Sequence, residues 1–253
     1  PMVTINGNRL LNLIAEQGKI GWIDGYGLNR LAFSDNFFSA RNYMQNVMDK
    51  IGLQTRVDSV GNLFGVYQGK TKQAKKILSG SHLDAVAGGG IYDGAYGICA
   101  ALEVARTLKE NNIVLDHAFE VGAFHAEEGG PWGGTFGSRA FTGLMETPPT
   151  DDILQKLGIK KQDIVDAKAD LSQYTAFLEA HIEQGPVLWQ KGLPLGIPTG
   201  IFSINRYECK VIGQANHAGT TPLSERKDAL YDAAKAITEW MDCLRKQEGI
   251  VGN

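Results

Sequence analysis

Long apolar runs and an excess of charge of either sign are both missing from this 253-residue chain. No segment approaches the ~20 consecutive apolar residues that a helix needs to cross a bilayer. The 25 basic and 28 acidic side chains nearly cancel and give a formal net charge of −3, so the chain offers no basic surface for a polyanion. We therefore expect neither a membrane nor a nucleic acid as a partner.

Cysteine is scarce. The three residues of this type, Cys99, Cys209 and Cys243, stand far apart, each inside an apolar periodic stretch. That pattern argues against a disulfide framework and against a thiolate metal cluster. Residues 1–9 lack a charged segment followed by an apolar one, so no secretory signal is visible and the expected location is the cytoplasm.

Apolar periodicity predicts an α/β fold with a mixed, largely parallel sheet and flanking helices. A short apolar run at 77–81, helical spacing over 94–111 and a strand at 118–124 form a βαβ unit, whose crossover makes its strands parallel. Further strands are predicted at 53–58, 62–68 and 176–182. Further helices are predicted at 8–17, 34–51, 134–144, 150–157 and 160–167.

A second domain is predicted after a change of composition at residues 192–200. A strand at 201–213 and an amphipathic helix at 222–247 follow, and two such elements cannot bury a core alone. We assign residues 1–200 to a catalytic metal-binding domain. Residues 201–253 are expected to be the beginning of a truncated α+β domain.

Acidic and imidazole side chains follow the predicted strands at their ends. Because ligands of open α/β sheets bind beyond the carboxyl ends of the strands, we expect these side chains to share one edge. They are His82, Asp84, Asp93, Glu127, Glu128 and His181.

Imidazole and carboxylate donors without cysteine suit zinc, manganese, nickel or cobalt. A bridging carboxylate such as Asp93 would allow two ions to bind. Glu127 and Glu128 are adjacent and point in different directions, so one can bind metal while the other accepts the proton of a metal-bound water. Asp84, two residues after His82, is placed to orient that imidazole.

Each residue also has a structural alternative. Asp93 precedes a predicted helix and is a candidate cap. The Glu127–Glu128 pair is compatible with a solvated loop, and a single histidine near a core is often structural. We interpret His117 and His125 in that way.

Five motifs, spread over nearly the whole chain, carry a family resemblance. They are GSHLDAV at 80–86, DG at 93–94, EEG at 127–129, AHIEQGPVL at 180–188 and NHAGTTP at 216–222. The chain resembles the binuclear-metal amidohydrolases that include N-carbamoyl-L-amino acid hydrolase, allantoate amidohydrolase and β-ureidopropionase. The HIEQGPVL stretch distinguishes this branch from related aminopeptidases and aminoacylases.

The resemblance implies a zinc exopeptidase-like catalytic domain, interrupted by a ferredoxin-like lid that also forms a homodimer. It implies two divalent metal ions, zinc or manganese, nickel or cobalt. By motif match, His82, Asp93 and His181 surround one ion, and Asp93 bridges to a second ion held by Glu128.

The resemblance also implies the catalytic roles. Glu127 matches the general base that later acts as the acid, and Gln184 matches a substrate-binding position. His217 matches the lid histidine that reaches the partner subunit's site and polarises the scissile carbonyl. Arg226 and Asp228 match the lid helix pattern. With Asp84 orienting the metal site, we group Glu127, His217 and Asp84 as catalytic.

The function implied is metal-dependent hydrolysis of a linear ureido C–N bond in an N-carbamoyl-L-amino acid or allantoate, releasing ammonia and carbon dioxide or a ureido product. Two departures leave alternatives open. The family follows the glutamate pair with Gly-x-Arg-Phe, whereas here Pro131 and Trp132 stand in the Arg-Phe places, which leaves the substrate preference open. A metallopeptidase or aminoacylase-like reaction, with the same metals and another acyl group, is an alternative. The last histidine ligand and the lid asparagine and arginine have no counterpart, so a truncated, non-catalytic homologue is another.

Overall fold

The computed structural model describes residues 3–201 and 207–247. These residues divide into two units between Leu193 and Pro194, whereas the sequence places the boundary between residues 200 and 201. The first unit carries the sheet and its helices. The second unit is small and contains one long helix.

Strands of the first unit form one ribbon and one sheet. The ribbon pairs β1 (Trp22–Ile23) with β2 (Gly27–Leu28). The sheet contains β3 (Gln54–Val57), β4 (Leu63–Tyr67), β5 (Lys76–His82), β6 (Ala118–Phe124) and β7 (Tyr174–Leu178). Its spatial order is β3-β4-β6-β5-β7.

Helices of the first unit surround this sheet. They are α1 (Gly7–Gly18), α2 (Asp35–Ile51), α3 (Ala95–Glu110), α4 (Phe136–Thr142), α5 (Asp151–Leu157), α6 (Lys161–Asp166) and the single turn α7 (Val187–Gln190). Local chemistry sets several of their ends. At α2, the Ser34 side chain accepts a hydrogen bond from the Phe37 N–H at 3.2 Å, and Gly52 closes the helix at φ 85°.

The α/β class and the mixed sheet are confirmed. β5, α3 and β6 form the predicted βαβ unit, and the parallel register runs to His82 opposite Phe124. β7 is also parallel to β5, but β3–β4 and β4–β6 are antiparallel, so two of the four pairings are parallel rather than most of them. The difference arises because β4 is the second strand of a hairpin and continues antiparallel beside β6.

The main core lies between the sheet and the long helices α1, α2 and α3. Its most deeply buried side chains include Ile14, Met44, Met48, Ile98, Leu102 and Val121. Each such side chain stabilises the fold by about 1.5–3 kcal/mol relative to exposure. A smaller aromatic cluster contains Phe64, Phe124 and Phe141, and it places α4 against the sheet close to the end of β6.

One predicted strand is displaced. The pattern predicts residues 176–182, whereas β7 covers Tyr174–Leu178. Its ladder with β5 ends at the pair Ser79 and Leu178. Beyond it the Ser81 hydroxyl donates to the Glu179 carboxylate, so a side-chain contact joins the two segments past the end of the ladder. The displacement leaves His181 in a loop rather than in a strand.

In the second unit the predicted helix is present but shorter than predicted, and the predicted strand is not formed by the residues described. The predicted helix at 222–247 begins later, as α8 (Ala229–Leu244). The Asp228 carboxylate accepts from the N–H groups of Leu230 and Tyr231 at 3.0 and 3.1 Å, which starts the helix there. Within the predicted strand at 201–213, residues 202–206 lie outside the described residues. Residues 207–213 form no strand, because no described segment of this unit pairs with them.

None of the helices in the described ranges combines the length and hydropathy of a bilayer-crossing segment. All three cysteines are free, with Cys99 buried and Cys209 and Cys243 exposed.

A half-buried ion pair between Arg9 and the buried Glu103 joins the chain's N-terminal segment to α3. Arg9 donates from Nε and Nη2 to the two oxygens of Glu103, each at 2.8 Å, and the Asn6 N–H also donates to Glu103. Replacing Glu103 by glutamine should lower the free energy of unfolding by about 1–3 kcal/mol, because a charge-assisted pair with a buried carboxylate is broken. Urea unfolding measures this loss.

Glu110 provides the matched control, since it binds the same Arg9 at 2.6 Å but is 53% exposed. Glu110→Gln should cost less than about 1 kcal/mol, and equal losses in both variants would contradict the prediction. Burial raises the pKa of Glu103, but hydrogen bonds from Arg9 and Asn6 outweigh it and hold the pKa below its ordinary 4.5. The contribution of ionised Glu103 to the free energy of unfolding is therefore present above pH 4.5. It should disappear as the pH falls through the folded-state pKa of Glu103.

Candidate metal centre

Three separate segments bring two imidazoles and one carboxylate together. His82 ends β5, Asp93 precedes α3 and His181 lies in the loop after β7. Donor atoms of these residues all lie within 4.8 Å of one another. The Asp93 Oδ1 atom is 3.3 Å from His181 Nε2 and 3.8 Å from His82 Nε2, so it stands between the two rings.

Glu128 adds a second carboxylate to this cluster. Its Oε1 atom is 3.9 Å from His82 Nε2. The pKa of Glu128 is raised, first by burial and also by the negative charges of Asp93 and Asp84, although His82 opposes the shift. The cluster thus concentrates negative charge at one edge of the sheet.

Backbone carbonyls hold both imidazoles in one orientation. His82 Nδ1 lies 2.9 Å from the Asp84 oxygen, and His181 Nδ1 lies 2.9 Å from the Ile182 oxygen. Since a carbonyl can only accept, each Nδ1 carries a hydrogen, and each Nε2 is the ring atom left to bind a further group. Both Nε2 atoms face the Asp93 carboxylate.

This donor set fits divalent cations. Two imidazole Nε2 atoms lie 3.3 and 3.8 Å from one Asp93 carboxylate oxygen, and a cation between them could accept a nitrogen lone pair from each neutral ring and an oxygen lone pair from the carboxylate. Across residues 3–201 and 207–247, no lysine or arginine pairs with Asp93 or Glu128. Nitrogen and oxygen donors without sulfur suit zinc, manganese, nickel or cobalt.

Asp93 does not cap α3, so the structural alternative for this residue is wrong. The N-cap is Gly94, which forms no side-chain cap hydrogen bond. The Asp93 oxygens instead accept from Gln184 Nε2 at 3.1 and 3.0 Å. Gln184, a predicted substrate-binding residue, thus lies against the cluster.

Gly94 permits the close approach of Asp93 to His82. It has φ +64°, and a Cβ atom there would lie 2.5 Å from His82 Nδ1 and 2.4 Å from the His82 oxygen. Any side chain would displace the imidazole.

Gly94→Ala should therefore weaken the binding of a divalent ion by at least about 10-fold, the effect typical of losing the support of a metal ligand. Titration with Co²⁺, followed by its visible absorption, measures the affinity. Gly90→Ala is the matched control, because nothing lies within 4 Å of a Cβ atom at that position. Wild-type affinity in Gly94→Ala would show that the close packing is not needed.

Asp84 contacts the site differently from the prediction. Its backbone oxygen, rather than its carboxylate, contacts His82. The fully buried carboxylate accepts from the N–H groups of Glu127 and Glu128 at 3.2 and 2.9 Å. Ala126, at φ +59°, turns the chain so that both N–H groups face this acceptor. Asp84 therefore orients the glutamate pair through its side chain and the imidazole through its backbone.

Glu127 is held by a residue that sequence reasoning missed. Ser138 donates from its N–H and its hydroxyl to the two oxygens of Glu127, both at 2.6 Å. Burial raises the pKa of Glu127 to about 7, against the opposing hydrogen bonds from Ser138. These contacts contradict the alternative of a solvated loop. No motif spacing identifies Ser138; its only signal is its position after the glycine-rich segment that follows the glutamates.

His125 is structural, as interpreted from the sequence. It is buried, its Nδ1 lies 2.8 Å from the Val60 oxygen, and its Nε2 accepts from the Phe33 N–H at 3.1 Å. Its ring stacks on Phe37 with centroids 4.1 Å apart. Burial lowers its pKa to about 4, so it remains neutral inside the protein.

His217 belongs to the second unit and is exposed. Its Nδ1 accepts from the Gly219 N–H at 3.0 Å. Nearby, Arg226 donates to the Thr221 and Ala218 oxygens, and Asp228 caps α8. The role of His217 at a partner's site stays a prediction.

A groove of about 620 Å³ opens beside the glutamate pair. His82, Glu127 and Glu128 form part of its lining, and Phe124, Phe141 and Tyr174 supply aromatic walls. This volume and this mixture of polar and aromatic side chains are typical of small-molecule sites.

The sheet and the imidazole–carboxylate cluster at its edge define a zinc exopeptidase-like α/β catalytic domain. Residues 62–162 match Peptidase family M28. The chain is 35% identical to the N-carbamoyl-L-amino acid amidohydrolase of Geobacillus stearothermophilus, over 98% of this chain and 63% of that protein. It is 34% identical to the allantoate amidohydrolase of Bacillus subtilis (strain 168), over 90% of this chain and 59% of that protein.

A solved structure agrees with these relatives. The hydantoinase/carbamoylase family amidase from Burkholderia ambifaria matches with a TM-score of 0.73 and 30% identity, over 99% of this chain and 64% of that one. In sequence and fold the chain is similar to the Peptidase M28-like hydantoinase/carbamoylase family, with curated relatives at about 35% identity. It spans 63% and 59% of the two curated relatives named above.

Proposed function

We propose that the protein hydrolyses the linear ureido C–N bond of an N-carbamoyl-L-amino acid or of allantoate. The observation that carries the proposal is the convergence of His82, Asp93, Glu128 and His181 beside the carboxylate of Glu127. The two curated relatives named above, which act on these two kinds of substrate by their names, support the choice of bond.

The metal site would be formed by His82, Asp93 and His181 around one ion, with Asp93 and Glu128 at a second. Ions bound there would supply a Lewis acid that polarises the substrate carbonyl and lowers the pKa of water. The two neutral imidazoles and the two carboxylates are the chain's contribution to holding that charge.

Glu127 would move the protons of the reaction. It accepts a proton from the attacking water, whose oxygen bonds to the ureido carbon, and delivers a proton to the departing nitrogen as the C–N bond breaks. The carbamate formed then yields ammonia and carbon dioxide. A pKa near 7 suits a group that must both take up and release a proton close to neutral pH.

Gln184 and His217 would act on the substrate. The Gln184 amide donates to both Asp93 oxygens. If those oxygens bound ions instead, its two N–H groups would be available to a substrate carboxylate or carbonyl. His217 would polarise the scissile carbonyl in a homodimer, from the partner's second unit.

Ammonia release tests the proposal. The full encoded protein, loaded with Zn²⁺ or Mn²⁺, is assayed with N-carbamoyl-L-amino acids and allantoate beside dipeptides and N-acetyl amino acids. We expect ammonia from the ureido substrates and no cleavage of the others. Cleavage of dipeptides or N-acetyl amino acids alone would establish a metallopeptidase or aminoacylase instead. No turnover of any substrate would support a non-catalytic homologue.

A further inference from the structure

Ser138 binds both oxygens of the Glu127 side chain. Its N–H donates to Oε1 and its hydroxyl to Oε2, both at 2.6 Å, across 11 residues of sequence. We propose that Ser138 is a positioning residue, which holds the Glu127 carboxylate in the orientation needed for proton transfer. This inference rests on the function proposed above for Glu127.

The segment that carries Ser138 is fixed to the glutamate segment by backbone hydrogen bonds. The N–H groups of Thr135, Phe136 and Gly137 donate to the oxygens of Glu127, Ala126 and His125 at 2.9, 3.0 and 2.9 Å. A Cβ atom at Gly137 would lie 2.3 Å from the His125 oxygen, so only glycine allows this approach. Ser138 therefore has a fixed distance from the backbone of Glu127.

The Ser138 hydroxyl donates more closely to a side chain outside its helix, the Glu127 carboxylate, than to a helix carbonyl. Serine and threonine in helices commonly donate to a carbonyl three or four residues earlier. Thr142, in the same helix, does so with the Ser138 oxygen at 2.8 Å. The Ser138 hydroxyl is 3.4 Å from the corresponding Thr135 oxygen but 2.6 Å from the Glu127 carboxylate. The shorter, charge-assisted hydrogen bond is the stronger one.

Two hydrogen bonds from one rigid residue restrict rotation of the carboxylate. A glutamate side chain otherwise rotates freely about its last torsion, which moves its lone pairs relative to any bound reactant. With one lone pair of each oxygen occupied, the remaining pair on each oxygen keeps a constant direction. Proton transfer requires such alignment, and small displacements of a positioned group cost large factors in rate.

The kinetic test compares Ser138→Ala with Ser172→Ala in the full encoded protein. Ser172 is the matched control, because its hydroxyl donates to the exposed Asp170 carboxylate at 2.7 Å. Ser138→Ala should lower kcat by about 10- to 100-fold, the effect of a hydrogen bond to a charged group. The KM should stay within about 2-fold, and the Co²⁺ affinity should not change. Ser138→Thr, which keeps the hydroxyl, should restore most of kcat.

A double-variant comparison separates positioning from a structural effect. In a Glu127→Gln background, Ser138→Ala should change kcat by less than about 2-fold, because Ser138 acts through Glu127. The same fractional loss in both backgrounds would overturn the proposal. A Ser138→Ala variant with wild-type kcat, or one that loses Co²⁺ affinity in parallel with kcat, would also overturn it.

An infrared measurement tests the contact without any turnover. In metal-free protein with ¹³C-labelled glutamate, subtracting the spectrum of Glu127→Gln isolates the carboxylate bands of Glu127. These bands should shift in Ser138→Ala and not in Ser172→Ala, and an unchanged band overturns the proposal. If the wild type hydrolyses no ureido substrate and the band still shifts, the proposed function fails while the contact is established.

Discussion

Replacing Glu127 by glutamine should reduce kcat for a ureido substrate by about 10²- to 10⁴-fold, the usual cost of losing a general acid–base group. Glutamine retains the size of the side chain and can still accept the Ser138 N–H hydrogen bond, but it cannot take up a proton. Because Glu127 is not one of the proposed metal ligands, the bound metal should remain. Steady-state rates of ammonia release and metal analysis of the same samples measure the two quantities.

Glu16→Gln serves as the control for this substitution. Glu16 is an exposed residue of α1 that pairs with Lys19 at 2.6 Å, and its replacement should leave kcat unchanged. A Glu127→Gln enzyme with normal turnover would refute the assignment of Glu127 as the base. Loss of metal together with activity would instead assign Glu127 to the metal site.

Replacing Asp93 by asparagine should weaken divalent metal binding by at least about 10²-fold and abolish ammonia release. Asp93 Oδ1 is the atom that both imidazoles approach, and a neutral amide removes the negative charge that draws the cation. We expect two ions in the parent protein and at most one in the variant. Metal content after dialysis, determined by mass spectrometry, gives this ratio directly.

A control variant and a stability measurement make the Asp93 result specific. Asp166→Asn changes an exposed aspartate of α6, which accepts from Gln162 at 2.8 Å, and should bind metal normally. The Asp93 charge raises the pKa of Glu128, so the two carboxylates repel in metal-free protein. Metal-free Asp93→Asn should consequently melt no lower than the parent. Unchanged metal stoichiometry in Asp93→Asn would remove Asp93 from the site.

Much of the candidate site could be predicted without coordinates, because topology controls it. Once residues 77–81 and 118–124 are identified as parallel strands of a βαβ unit, their carboxyl ends must lie at the same edge of the sheet. His82 and Glu128 were therefore expected at the same edge of the sheet. The cap of α2 was equally predictable, since Ser34 acts on the first turn of its own helix.

Other features depended on contacts that no local pattern contains. β7 ends at Leu178 although its partner β5 continues to His82, and beyond the ladder the two segments are joined by the Ser81–Glu179 side-chain contact. The antiparallel half of the sheet arises because β4, the strand of the hairpin that pairs with β6, runs in the opposite direction to it. The periodicity of a single segment predicts neither the end of β7 nor the direction of β4 relative to β6.

The amino-acid order alone was therefore sufficient for the α/β class, the βαβ unit and the residue types gathered at its edge, since each depends on short-range periodicity and chain direction. The tertiary structure decided which group each side chain binds. The Asp84 carboxylate accepts from the N–H groups of Glu127 and Glu128, and Ser138 donates to the Glu127 carboxylate. These partners lie 43, 44 and 11 residues apart. At such separations the choice of a hydrogen-bond partner is set by packing and by the need to satisfy buried polar atoms, not by spacing along the chain.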